Sequence, residues 1–300
     1  MKVIVLGAAA GGGFPQWNAN STMNRRAFAG DVTAPRQTQC SLAISPGDDD
    51  DWLLLNCSPD IRQQIIDTKE LQPYEELRSS PIKSVALTGA DVDAVAGLLT
   101  LRERQHLSVW SSDYVLGAIE ANPIFGVLDR SVVRLERIGP HGKFDPVPGL
   151  DCETFAVPGK PPLYLEHVHG IGPATGATLG VRVTDGAGKS LVFIPGCAEI
   201  TPEVTRAIDG AAAVFFDGTM YTDDEMIASG EGGKSSRRMG HIPMTGRGGS
   251  LEALRSVKVG ARYFIHINNS NPVLDHASPE RHAVEAAGWK IAQDGMRLEL

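Results

Sequence analysis

The sequence predicts a layered α/β (α+β) fold, because short apolar strands alternate with helical runs along the whole chain. Glycine at 33 and proline at 19 of 300 residues call for many tight turns, which excludes a long-helix architecture. A hydrophobic share of 42% against 21% charged residues supplies a large core, so disorder is excluded too. Residues 1–300 read as one domain, since no low-complexity linker and no fixed-period repeat interrupts them.

The first strand is expected at Val3 to Leu6, emptying into the glycine-rich loop of residues 7–18. Cys40 to Ile44 and Trp52 to Asn56 read as a hairpin, with the aspartates of residues 48–51 as a solvated turn. Next, Ser58 and Pro59 have the types expected at the cap and first position of a helix running through Ile66. A strand from Ile82 to Leu87 leads through an acidic loop into a helix over Val95 to Glu103. Leu107 to Trp110 and Val132 to Leu135 are strands with a helix over Tyr114 to Ala121 between them. Phe144 to Thr154 carries a Pro-Val-Pro-Gly turn, and Thr178 to Val183 pairs with Ser190 to Ile194 around Asp185-Gly186-Ala187-Gly188. Val214 to Phe216 is a short buried strand, Leu251 to Ser256 a helix, and Tyr263 to Ile267 a further strand.

Charge and composition narrow the function. A net charge of −8 with no dense basic run argues against a broad grip on nucleic acid. No apolar stretch approaches the roughly 20 residues of a membrane span, and the start runs straight into a strand, so a cytoplasmic chain without a membrane partner is expected. Cys40, Cys57, Cys152 and Cys197 are dispersed, which points to buried small hydrophobes rather than disulfides or a zinc knuckle.

Chemistry-bearing residues collect after apolar strands: Asp91 with Asp93, Asp217, His241 and His266. Mixed carboxylate and imidazole donors suit Zn, Fe or Mn better than Mg or Ca. Singly, each has a plainer reading as a turn residue, a helix cap or a core histidine. His167 and His169 share a strand face and read as structural or surface residues. Residues 11–13 could offer backbone N–H groups to an anion or simply pack closely.

The order Asp91/Asp93, Asp217, His266 resembles the metallo-β-lactamase fold. More specifically, Gly11-Gly12-Gly13-Phe14-Pro15-Gln16-Trp17-Asn18, Asn56-Cys57-Ser58-Pro59-Asp60, Pro195-Gly196-Cys197-Ala198, Phe216-Asp217-Gly218-Thr219, Met239-Gly240-His241 and His266-Ile267-Asn268-Asn269 resemble the coenzyme PQQ biosynthesis protein B family over the whole chain. That resemblance implies a metallo-β-lactamase-like αββα sandwich of two mixed sheets flanked by helices. It also implies a role in making pyrroloquinoline quinone (PQQ), as a metal-dependent oxygenase of the tyrosine ring in a cross-linked Glu-Tyr intermediate. The alternatives are a non-catalytic carrier of the quinone and a Zn-dependent hydrolase.

Two departures matter. The family's metal loop ends Asp-x-Asp-His, and here Ala94 stands at the histidine; its Cys-x-Cys-x-x-Cys cluster is replaced by Ala19, Ser21 and Asn24. No structural zinc is therefore expected, and the segment 19–30 is left to packing or mobility. The expected ligands are Asp91, Asp93, Asp217, His241 and His266, with Asp93, His241 and His266 catalytic. Two histidines and one carboxylate form a facial triad, which makes Fe(II) the first expectation, with Zn or Mn as alternatives. A small polycarboxylate partner needs polar contacts, for which Arg62, Asn56, Ser58, Lys160, Asn268 and Asn269 are the candidates. Arg237 and Arg238 are weaker candidates of the same kind, and a homodimer stays open.

Overall fold

The computed structural model describes residues 1–47, 51–74, 76–166 and 174–300. The expectations for residues 48–50, His167 and His169 lie outside them. Fourteen strands form two seven-stranded sheets among the described residues. In the first half these are β1 (Lys2–Gly7), β2 (Ser41–Ser45), β3 (Trp52–Leu55), β4 (Ile82–Ala86), β5 (Leu107–Ser111) and β6 (Val133–Arg137). The second half supplies β7 (Lys143–Val147), β8 (Leu150–Ala156), β9 (Leu179–Asp185), β10 (Ser190–Ile194), β11 (Ala211–Asp217), β12 (Val259–Ile265), β13 (Lys290–Ile291) and β14 (Arg297–Glu299). One sheet runs β14-β1-β2-β3-β4-β5-β6 and the other β13-β12-β11-β10-β9-β8-β7. Both are mixed: β3 to β6 and β10 to β13 pair in parallel, the rest antiparallel.

Strand alternation builds the layers. Val3 and Val5 point into the core between the sheets with Leu53, Leu55, Val181, Phe193, Phe215 and Ile265. Their neighbours Ile4 and Leu6 face outward, onto an apolar layer with Ile61, Leu98, Val115 and Ile119. On the other sheet Val214, Phe216 and Phe264 meet Val204, Ile208, Val284 and Trp289. The helices are α1 (Thr22–Phe28), α2 (Ile61–Asp67), α3 (Val92–Val95), α4 (Asp113–Ala121), α5 (Pro202–Ile208), α6 (Glu225–Ser229), α7 (Ser236–Met239), α8 (Ser250–Ala253) and α9 (Pro279–Ala286); α2, α3 and α4 contribute to the outer layer of the first sheet and α1, α5, α8 and α9 to that of the second. The result is the expected αββα sandwich, with each fully buried Leu, Ile, Val or Phe worth roughly 1.5–3 kcal/mol.

Several local expectations change. The helix expected over Val95 to Glu103 is instead α3 followed by a 3-10 turn, Ala96–Leu99. Gly97 causes the tightening: its N–H bonds to Cys57 O at 2.9 Å, and a Cβ there would sit 2.2 Å from Ser58 O. Gly97→Ala is therefore expected to destabilise the fold by about 2–3 kcal/mol in urea denaturation, since the obstacle is backbone. Helix α2 begins at Ile61, after Asp60, rather than at Pro59. Ser58 is no cap, because its Oγ bonds Gln64 Oε1 at 3.1 Å, while Asp60 Oδ2 accepts from Gln39 N and Nε2, both at 2.9 Å.

Residues 8–10 tie the two sheets together at one rim. Ala9 bridges both Gln39 and Ile267, with Ala9 N to Thr38 O at 2.9 Å and Ala10 N to Ile267 O at 2.8 Å. At this rim the ends of β4, β11 and β12 bring their polar residues together. Segment 19–30, expected to rest on packing or be mobile, is held by polar contacts: Ser21 caps α1, and Arg26 pairs with Asp31 at 2.7 Å and Asp275 at 2.5 Å.

Candidate metal centre

Asp217 is the last residue of β11 and fully buried. Its Oδ1 accepts from Thr219 N at 3.0 Å and Thr219 Oγ1 at 2.7 Å. Its Oδ2 accepts from Cys197 N at 2.8 Å and lies 2.8 Å from His241 Nδ1. A carboxylate bonded to one nitrogen of a histidine fixes its tautomer and frees the other nitrogen for a metal. His266 follows β12 directly and sits in the left-handed region at φ 62°, a conformation that costs a non-glycine residue about 1 kcal/mol or more. This turn aims its ring at the rim: Nδ1 is 2.8 Å from Thr219 Oγ1, and Nε2 is 2.8 Å from Asp93 Oδ2. The two imidazoles stack with centroids 5.4 Å apart. Donor atoms of Asp217, His241 and His266 all lie within 4.8 Å of one another.

Thr219, His241 and His266 floor a cavity of about 560 Å³ lined also by Asn56, Asp91, Asp93, Ala94, Lys160, Asn268, Asn269 and Gln16, with Asp217 buried behind them. Burial opposes ionisation of Asp93, but the hydrogen bond and charge of His266 outweigh it and hold the carboxyl below its usual range. Burial likewise opposes a charged His266, and Asp93 outweighs it and raises the imidazole. Desolvation first and the Asp93 charge second push Asp91 upward. Among the described lining residues Lys160 supplies an ammonium group, which pairs with Glu166 at 2.6 Å. Three carboxylates beside two imidazoles leave negative charge that a divalent ion would balance, and the nitrogen and oxygen donors suit zinc. The four cysteines are free and buried; burial raises the thiols of Cys57, Cys152 and Cys197, so they stay neutral rather than offering thiolates.

The structure sorts the remaining candidates. Asn56, Lys160, Asn268 and Asn269 line the cavity. Asn56, at φ 61°, accepts from Thr88 N and Oγ1 at 2.9 and 3.0 Å, which ties the acidic loop to β3. Arg62 and Ser58 do not line the cavity. Arg62 is exposed on α2 and lines a separate apolar groove with Ile65, Ile66 and Leu101. Ser58 is fully buried beneath α2. Arg237 donates to the carbonyls of Arg247 and Gly248 and does not line the cavity.

Thr219 and Gln16 escaped the sequence reading as site residues. An Asp-Gly-Thr run ending a buried strand was a signal for Thr219, since a hydroxyl two residues on can fold back onto the aspartate.

Asn268 is held from behind: its Nδ2 donates to Ser270 Oγ at 2.6 Å, and Ser270 donates to Glu225 Oε1. Burial pushes Glu225 up to about 7. The folded state therefore binds this proton more tightly than the unfolded chain. The stabilisation is complete below the unfolded pKa, near 4.5, and is lost as pH rises through about 7. Glu225→Gln should flatten that part of the stability-against-pH curve, by on the order of 1–3 kcal/mol. Urea denaturation at pH 4.5 and 8 measures it, and parallel curves for both proteins would refute it.

An αββα sandwich with an Asp/His cluster on one rim defines a metallo-β-lactamase-type scaffold, and the Beta-lactamase superfamily domain matches residues 51–267. A diphosphatase of the PhnP family shares the fold at a TM-score of 0.69 and 17% identity, over 100% of this chain and 96% of its own. Coenzyme PQQ synthesis protein B of Methylobacterium sp. (strain 4-46) is 49% identical over 301 residues, covering 100% of both chains. The crystal structure of Zn(2+)-bound PqqB from Methylobacterium extorquens has a TM-score of 0.97 and 48% identity over 100% of both chains. This chain belongs to the coenzyme PQQ synthesis protein B family. The Fe(II) expectation is corrected by the last comparison, in which the bound metal is zinc.

Proposed function

We propose that this chain is a zinc-dependent, cytoplasmic enzyme of PQQ synthesis that activates water against a small polycarboxylate intermediate. The observation that carries this reading is the Asp217, His241 and His266 cluster, whose two imidazoles lie on the floor of a cleft of molecular size. Zinc supplies Lewis acidity and lowers the pKa of bound water but has no accessible redox step, so tyrosine-ring oxygenation loses its motivating metal. His241 and His266 would hold the ion with Asp217. Asp93, kept ionised by His266, takes the role of proton acceptor, and Thr219 fixes the angle between the two imidazoles. Lys160, Asn56 and Asn268 orient the substrate. Among the described residues no helix is long and apolar enough to cross a membrane.

The test is metal analysis of protein purified without added metal, followed by ester and phosphodiester turnover with zinc and titration with PQQ. About one equivalent of zinc with zinc-dependent turnover supports the enzyme. A carrier is the second reading, favoured by Ala94, which offers the cleft a methyl group where the family places an imidazole. Tight PQQ binding with no turnover under zinc would establish that reading and overturn the first. We also take residues 1–300 as one domain, a reading supported by the pairing of β14 with β1; one cooperative melting transition is expected.

A further inference from the structure

The carboxamides around Gln16 have one consistent orientation. The Gln16 backbone N–H donates to Asn24 Oδ1 at 2.9 Å. A backbone N–H cannot accept, so the atom of Asn24 that faces it must be oxygen. Asn24 Nδ2 then donates to Ser21 Oγ at 2.8 Å and to Asn269 Oδ1 at 3.0 Å. Asn269 is thereby oriented as well, and its Nδ2 donates to Gln16 Oε1 at 2.6 Å. The chain of constraint returns to the residue where it began. With its oxygen used, Gln16 keeps Nε2 as the free end of a side chain that lines the cleft. Asn24 and Asn269 are buried, so turning either amide over would set donor against donor without water to relieve it.

We infer that Gln16 is a specificity-determining residue: its Nε2 donates to an acceptor oxygen, a carboxylate or quinone carbonyl, of the molecule held in the cleft. Asn269 and Asn24 are positioning residues that act through it. This rests on the reading of the cleft as a polycarboxylate or quinone site. It also reassigns Asn269, whose amide is spent on Gln16 and Asn24 rather than offered to a ligand.

The experiment is calorimetric titration of the zinc-loaded protein with PQQ. Gln16→Met removes the donor at similar size, and Gln16→Glu replaces it with an acceptor. Both should raise Kd about tenfold with zinc content unchanged; Gln16→Glu keeps an acceptor for Asn269 Nδ2 and should melt with the wild type, whereas Gln16→Met strands that donor and should melt lower. Asn269→Asp removes the donor to Gln16 Oε1 and invites Gln16 to turn its amide round, so it should weaken PQQ similarly. Combined with Gln16→Met it should add little, whereas a merely structural role for Asn269 would make the two losses additive. Unchanged Kd in both Gln16 variants, or loss of zinc from them, overturns the assignment of Gln16 alone. Wild-type protein that binds no PQQ overturns the reading of the cleft and the inference with it.

Discussion

His266→Ala is expected to yield folded protein that has lost its zinc. The ring contributes one of three clustered donors, and it is also the partner that holds Asp93 ionised at 2.8 Å. Removing it leaves two ligands and an unpaired carboxylate in a partly enclosed cleft. Changing a residue that only supports a ligand costs 10- to 100-fold in metal affinity, so losing the ligand itself should cost at least about a hundredfold. Elemental analysis and zinc competition with a chromogenic chelator measure this. The backbone adds a diagnostic: at φ 62° alanine keeps the strain that glycine relieves, so His266→Gly should be the more stable by about 1 kcal/mol. Both variants should be equally poor in zinc. Zinc retained at wild-type affinity would remove His266 from the ligand set.

Asp217→Asn is expected to damage stability and metal binding together. Both oxygens of Asp217 face donors, including the backbone N–H groups of Cys197 and Thr219. An asparagine can satisfy one side only; whichever way its amide turns, an NH₂ group meets a backbone N–H in a place with no solvent. One or two buried donors are stranded, and the charge that orients His241 is gone. The cost should reach about 3 kcal/mol, near the range for breaking a buried charged pair. Urea denaturation of the metal-free proteins isolates that part, since zinc would otherwise add its own binding energy to the wild type. A variant as stable as wild type in metal-free form would show that Asp217 is not constrained as its contacts indicate.

The layers of this fold were legible in the sequence because alternation is a local signal. Val3 and Val5 face one way, Ile4 and Leu6 the other, and nothing distant is needed to see it. Strand ends were equally legible, and with them Asp217 and His266 as members of one rim. Helix starts were not: of the side chains at the start of α2, Ser58 is engaged by Gln64 within the helix itself and Asp60 by Gln39, 21 positions away, and that second engagement is tertiary. The Gln16 network was out of reach for the same reason, since Gln16 and Asn269 lie 253 positions apart. Metal identity was invisible because nitrogen and oxygen donors of this kind serve several ions; the zinc proposed here takes its lead from a homologous structure that holds one.

The double bridge made by Ala9 acts as a clasp, joining Gln39 of one sheet's flank to Ile267 of the other. It makes the spacing between loops 11–16 and 268–271 a property of main-chain hydrogen bonding rather than of their side chains. Side-chain repertoire on those loops is thus free to drift while the gap they span stays fixed. An insertion of one residue at Ala10 would slip that gauge and misplace Gln16 against Asn269, whereas the same insertion at the exposed Gly186 to Gly188 turn would leave it untouched. The ruler for this cleft is written in three alanines, Ala8 to Ala10, whose side chains do no chemistry.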